Sequence, residues 1–208
     1  MDPVERARVL YAGTDTAHDF DHVLRVLTLV RRIGPAEGAD MRLLEVATLL
    51  HDIARASEVE TGVDHARAGA ERAQAIAQEW GYEPEEAATI ARIIAAHRFR
   101  NDASPQTVEE KVLYDADKLD AMGAIGVGRA FAYAGRTGQH LWSPVPADAR
   151  ATQQVDPAVH SPTIEFAVKL SRLASALHTE TARAIARERH AFMVAFFERL
   201  DAEIEGVK

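Results

Sequence analysis

The chain has 208 residues, 47% of them hydrophobic, and a formal net charge of −8 from 24 basic and 32 acidic side chains, enough for one globular domain or a domain with a small appendage. It contains no cysteine, which excludes disulfides, thiolate nucleophiles and sulfur-ligated zinc, so any metal must sit on nitrogen and oxygen. No apolar run reaches the roughly 20 residues of a membrane span, the start Met1-Asp2-Pro3-Val4-Glu5-Arg6 lacks a secretory pattern, and no dense Lys/Arg block is present, so the expectation is a cytoplasmic protein without membrane or nucleic-acid polymer partners.

The pattern is helical nearly throughout, with no strand alternation and no internal repeat. Cap-forming residues in Thr14-Asp15-Thr16-Ala17-His18-Asp19-Phe20-Asp21-His22 introduce an apolar helix that Gly34-Pro35 is expected to terminate, with His22 near its start. A second helix from about Asp40 is apolar almost all round and carries His51-Asp52 into its last turn, where the carbonyl end of the helix dipole favours a cation. Gly62 opens a third helix, through His65 to Trp80, and Gly81 is placed to stop it. Pro84 suits the first turn of a fourth, Glu85 to His97, with Ala87, Ile90, Ile93 and Ile94 in one stripe.

A fifth helix from about Thr107 carries Asp115, Asp117, Lys118 and Asp120, and the small residues of Gly123-Ala124-Ile125-Gly126-Val127-Gly128 permit close backbone approach. Residues 135–162 lose periodicity and contain four prolines, and are expected to form a long loop, well above the roughly 4–6 residue median for connections. Two helices follow, Thr163 to His178 and Glu180 to about Glu203, so that residues 163–205 are C-terminal helices. Trp80 and the phenylalanines fall on helical stripes and read as core. The fold class expected is all-α, with the whole chain, 1–208, as a single domain.

The residues able to carry chemistry gather at element ends. His22, His51, Asp52 and Asp117 offer two imidazole nitrogens and two carboxylates, separated by 29 residues from His22 to His51 and by 65 from Asp52 to Asp117. Such a set suits Mn²⁺, with Mg²⁺, Co²⁺, Ni²⁺ or Fe²⁺ as alternatives. A divalent ion lowers the pKa of bound water from 15.7 toward about 7 and neutralises charge on phosphoryl oxygens, which makes hydrolysis without a covalent intermediate the natural chemistry, centred on Asp52. Each residue alone has a plainer reading: a helix-end histidine as cap or core group, a helical carboxylate as solvated surface. Arg55, Lys118 and Arg98 are cations able to meet phosphate or to form surface ion pairs. Arg25 is expected to pair with a nearby carboxylate, Asp21 or Asp120, and Asp120 can instead orient water or a ligand histidine from behind.

The flanking text makes one motif of these segments. His18-Asp19-Phe20-Asp21-His22-Val23-Leu24-Arg25-Val26, His51-Asp52, Ala95-Ala96-His97-Arg98-Phe99 and the run from Asp115 to Phe131 resemble the HD-domain metal-dependent phosphohydrolases, and among them the bacterial YpgQ/YedJ-like subfamily. The stretch from Glu165 to Met193 is similar too, so the resemblance covers most of residues 15–200, with core motifs at 18–131. It implies an HD-domain helical bundle with the C-terminal helices packed on the same core. It further implies a metal at His22, His51, Asp52 and Asp117, and a nucleotide substrate, most readily a nucleoside triphosphate cleaved between its α and β phosphates to monophosphate and pyrophosphate.

In some HD proteins two further histidines hold a second metal, and His65 and His97 stand where those would fall; the alternative is contact with substrate phosphate. The chain departs from the subfamily at Arg98, where serine is frequent, and over 135–162, both of which bear on substrate choice. Rival readings are a nucleoside monophosphatase, a cyclic-nucleotide or ppGpp hydrolase and, from another class, a non-catalytic metal-bound sensor or scaffold. The last helices, with Phe192, Phe196 and Phe197, can complete the core or form a homodimer face.

Overall fold

Asp40 is the residue that starts the central helix of the first half: its carboxylate accepts from the Arg42 and Leu43 backbone N–H groups at 3.0 and 3.3 Å, satisfying donors that a helix start leaves open. The structure is a computed structural model and describes residues 2–11, 20–55, 65–97, 104–152, 156 and 159–208, without the side chains of His65, Arg150 and Thr152. Every regular element among them is helical, and the fold class is all-α. In chain order these are α1 (Pro3–Arg8), a 3-10 turn (Val9–Tyr11), α2 (Phe20–Glu37), α3 (Met41–Leu50), α4 (His65–Glu79), α5 (Pro84–Ala95), α6 (Val108–Asp120), α7 (Gly123–Thr137), α8 (Ala149–Thr152), α9 (Pro162–Val168), a 3-10 segment (Leu170–Ala176) and α10 (Glu180–Ile204). None of the described helices is long and apolar enough to cross a membrane.

Contacts gather the chain into two compact units, residues 1–117 and 118–208. In the first, α3 packs against α1, α2, α4 and α5, which is why its sequence is apolar on nearly every side. Leu44, Leu49 and Leu50 are fully buried, as are Val26, Val30 and Ile33 of α2 and Ile90, Ile93 and Ile94 of α5. Each such side chain contributes about 2 kcal/mol, so α3 is a fixed post rather than a surface element.

The expected stop at Gly34-Pro35 is wrong: α2 runs on to Glu37 with Pro35 inside it. Proline there removes a single donor, and the helix ends instead at Gly38, whose φ of +77° lets the Ala39 N–H reach back to the Gly34 carbonyl at 3.0 Å. The predicted start of the third helix at Gly62 lies outside the described residues, and His65 opens the described part.

In the second unit α7 packs against α10 and α9. A Cβ at Gly126 would stand 2.3 Å from the Ala121 carbonyl oxygen, so this member of the small-residue run is demanded by the turn entering α7. Phe166 and Phe197 stack at 4.4 Å, and Phe131 meets Phe196 edge-on at 5.8 Å. Phe192, by contrast, is 47% exposed and does not belong to a core. The non-helical stretch expected from Gly135 begins only at Gly138, because α7 continues through Thr137, and α8 interrupts it. The helix expected from Thr163 to His178 breaks after Val168 into the 3-10 segment.

Candidate metal centre

α3 ends at Leu50, so His51 is its C-cap and Asp52 lies in the turn beyond, rather than in the last helical turn. The carbonyls released at this end find other donors. His51 Nδ1–H donates to Thr48 O at 2.7 Å, the Tyr11 hydroxyl donates to Leu49 O at 3.0 Å, the Ile53 N–H bonds Leu50 O at 3.4 Å, and an Arg72 Nη1 donates to Ile53 O at 3.1 Å. A buried helix end needs such partners. Here they also fix the direction in which the His-Asp pair points. Tyr11, the Thr48 carbonyl and Arg72 are neighbours that sequence reasoning missed, and no residue type marks the Thr48 contact, because Thr48 acts through its backbone while its hydroxyl bonds Leu44 O at 2.7 Å.

With its Nδ1–H committed to Thr48, His51 turns Nε2 toward Nε2 of His22 at 3.3 Å and toward Asp52 Oδ2 at 3.9 Å. His22 Nε2 lies 3.8 Å from the same Asp52 Oδ2 and 3.3 Å from Asp117 Oδ1. His22, His51 and Asp52 each supply a donor atom within 4.8 Å of the others, and all three are buried, whereas Asp117 keeps 19% of its side chain exposed. Donors about 2.0–2.2 Å from a common ion stand roughly 3.0–3.4 Å apart around it; the two 3.3 Å separations fall in that range, and the two to Asp52 Oδ2, at 3.8 and 3.9 Å, are longer.

The charge states suit the same use. Burial lowers His51 from its ordinary 6.5 to about 4, with His97 and His22 adding to it against the pull of Asp52, so the imidazole is neutral at pH 7, the form able to ligate a metal. Burial alone would raise Asp52, but the imidazoles of His51, His97 and His22 outweigh it and hold the carboxyl well below the usual range. A neutral nitrogen beside an anionic carboxylate is the donor set a divalent cation takes.

His97, just past the end of α5, repeats the device of His51: Nδ1–H donates to Ile94 O at 2.5 Å, and Nε2 faces Asp52 Oδ1 at 3.7 Å. The two oxygens of Asp52 therefore face different imidazoles. Arg55 is half-buried in the turn after Asp52, its backbone N–H bonding Asp52 O at 3.0 Å. The side chain of His65 and all of Arg98 lie outside the described residues. In the second unit Lys118 is buried, and the buried Asp120 accepts from Arg129 Nη1 at 2.7 Å, a pairing that sequence reasoning did not name.

An all-helical fold bearing a buried His, His-Asp cluster at helix ends is the architecture of HD-domain hydrolases. The HD-domain profile matches residues 19–122, and the chain belongs to that family, the metal-dependent phosphohydrolases of the HD superfamily. It is 33% identical over 196 residues to YpgQ of Bacillus subtilis, covering 92% of this chain and 87% of YpgQ. The crystal structure of YpgQ in complex with ADP superposes with a TM-score of 0.76 at 31% identity, over 99% of this chain and 100% of that one. An HD-superfamily hydrolase from Bacillus thuringiensis gives 0.75 at 29% identity, over 98% and 95%.

Proposed function

We propose that the chain is a nucleotide pyrophosphohydrolase that converts nucleoside triphosphates to monophosphate and pyrophosphate, with one divalent ion, Mn²⁺ above others, held by His22, His51, Asp52 and Asp117. The observation that carries this reading is the convergence of His22 Nε2, His51 Nε2, Asp52 Oδ2 and Asp117 Oδ1 at separations of 3.3–3.9 Å. When bound, the ion supplies an activated water and neutralises charge on phosphoryl oxygens. His51 holds its lone pair in place through Thr48, Asp52 brings fixed negative charge, and the part-exposed Asp117 marks the side from which water and substrate enter. Nucleotide specificity is supported by the likeness to YpgQ, whose structure contains ADP.

Incubating metal-loaded protein with ATP, GTP, dNTPs, a monophosphate, a cyclic nucleotide and ppGpp, with products separated by anion exchange, tests this. Monophosphate plus pyrophosphate from a triphosphate is the expected result. Free phosphate from a monophosphate, or turnover of the cyclic nucleotide or ppGpp alone, selects one of the other hydrolases.

A second reading, of two ions bridged by Asp52, rests on His97 facing the oxygen of Asp52 that His22 and His51 do not. Metal content per chain decides it: two equivalents falling to one in His97→Ala support the pair, and one equivalent in both proteins removes it.

A further inference from the structure

The turn that carries His51 and Asp52 is buried from His51 through Ala54, with none of these residues more than 5% exposed, so its carbonyls need donors from the protein. Some are local. His51 Nδ1–H serves Thr48 O, the Ile53 N–H serves Leu50 O at 3.4 Å and the Arg55 N–H serves Asp52 O at 3.0 Å. Two donors come from elsewhere in the chain, the Tyr11 hydroxyl on Leu49 O and Arg72 Nη1 on Ile53 O at 3.1 Å. Arg72 is the one placed beyond Asp52, and its charge makes the stronger bond to a neutral acceptor.

The path of α4 explains why a side chain so far along the sequence arrives there. Arg72 stands midway along this 15-residue helix. One turn earlier, Gly69 lies against the same buried turn, where a Cβ would stand 3.5 Å from the His51 carbonyl oxygen and 3.7 Å from Ala54 Cβ. Positions 69 and 72 are neighbours on the helix surface, and Ala66, Ala73 and Ala77 are fully buried beside them. The Arg72 side chain therefore leaves from a fixed backbone.

Ile53 adjoins Asp52, and each residue has only two soft torsions, so a clamp on the Ile53 carbonyl limits how the Asp52 carboxylate can swing. From the other side His51 is held by Thr48. Between these anchors Asp52 turns Oδ2 toward His22 and His51 at 3.8 and 3.9 Å and Oδ1 toward His97 at 3.7 Å. A rotation of the carboxylate would lose that arrangement.

We propose that Arg72 is a positioning residue for the metal centre, holding the Asp52 carboxylate in its orientation through the Ile53 carbonyl. The inference rests on the reading of His22, His51, Asp52 and Asp117 as metal ligands. A residue that only tied α4 to α3 would change stability and leave metal affinity alone, whereas a positioning residue changes affinity.

Mn²⁺ binding to the full chain, followed by the free-ion signal in electron paramagnetic resonance well below the melting transition, separates the two and needs no turnover. Arg72→Met keeps the apolar stem and removes every N–H; its Mn²⁺ dissociation constant is expected to rise about tenfold, the lower end of the loss when a group that orients a metal ligand is removed. Arg72→Lys, which retains a charged donor, recovers most of this. Asp52→Asn, measured beside them, weakens Mn²⁺ well beyond Arg72→Met. Wild-type affinity in Arg72→Met at any melting temperature, or an Arg72→Lys as weak as Arg72→Met, overturns the inference, while a weakened Asp52→Asn leaves the metal centre standing. Wild-type affinity in Asp52→Asn overturns the metal centre and the inference with it.

Discussion

His51 Nδ1–H donates to the Thr48 carbonyl 2.7 Å away, one turn back along the helix that delivers it. That bond settles which ring nitrogen is free for a metal, because a carbonyl oxygen can only accept. The imidazole is therefore oriented by the end of its own helix.

Asp52→Asn tests the centre with little change of shape. The amide keeps the volume but removes the fixed negative charge that both His22 and His51 face. Turnover is expected to fall on the order of a thousandfold, with metal content after dialysis well below that of the wild type and helical circular dichroism retained. Wild-type turnover in a metal-depleted Asp52→Asn protein would reject the metal-dependent reading of this cluster.

How much of this was legible beforehand depends on range. The apolar run from Leu43 to Leu50 announced a buried helix, and the His-Asp pair ending it announced a site, because both are local patterns with family-like flanks. The helix-ending bonds to Tyr11 and Arg72 were invisible: they join residues 38 and 19 positions apart, and nothing periodic marks such a pair. The misplaced end of α2 has the same character. Pro35 is a helix breaker by local rule, yet close to a helix C-terminus its missing donor costs one bond, and the packing of Val30 and Ile33 outweighs it.

Acid should destabilise the metal-free protein in a defined window. An unfolded His51 takes a proton as pH falls through its ordinary 6.5, whereas the folded one resists until about 4. Between those values the unfolded state binds more protons, so stability rises with pH: His51's contribution is complete above 6.5 and is lost as pH drops toward 4. The full loss is about 3 kcal/mol, and the depressed Asp52 extends it to lower pH. Urea midpoints measured in EDTA at a series of pH values check this. A flat profile across the window would mean that His51 is not buried neutral.

Tyr11→Phe isolates the support beneath the site. The ring remains beside Phe20, 5.5 Å away, but the Leu49 carbonyl loses its donor in a buried setting, at a cost of about 1–2 kcal/mol. Burial and the nearby Asp52 push the Tyr11 phenol well above its ordinary 10, so it stays a donor throughout the working pH range and the effect should not vary between pH 6 and 9, roughly the range free of its titration. Because Leu49 lies just before His51, kcat is expected to fall several-fold with KM little changed. Equal melting temperatures and equal kcat in mutant and wild type would remove Tyr11 from the account.

Arg129→Met addresses the second unit. Asp120 is 1% exposed and its Oδ2 receives Arg129 Nη1 at 2.7 Å, while the guanidinium keeps 22% of its side chain in contact with solvent. Removing the cation takes one charged partner from a desolvated carboxylate, and breaking such a pair costs more than the pair itself is worth. The partial exposure of Arg129 moderates this to about 2 kcal/mol. Asp120→Asn in the same chain removes that buried charge, so the double variant should recover part of the loss in melting temperature. Kinetics separates the two roles open to Asp120. If it acts through this ion pair to hold the start of α7, kcat measured well below the melting transition stays near wild type in Arg129→Met. A fall in kcat without a fall in melting temperature would instead tie the Asp120–Arg129 pair to the chemistry rather than to the stability of α7.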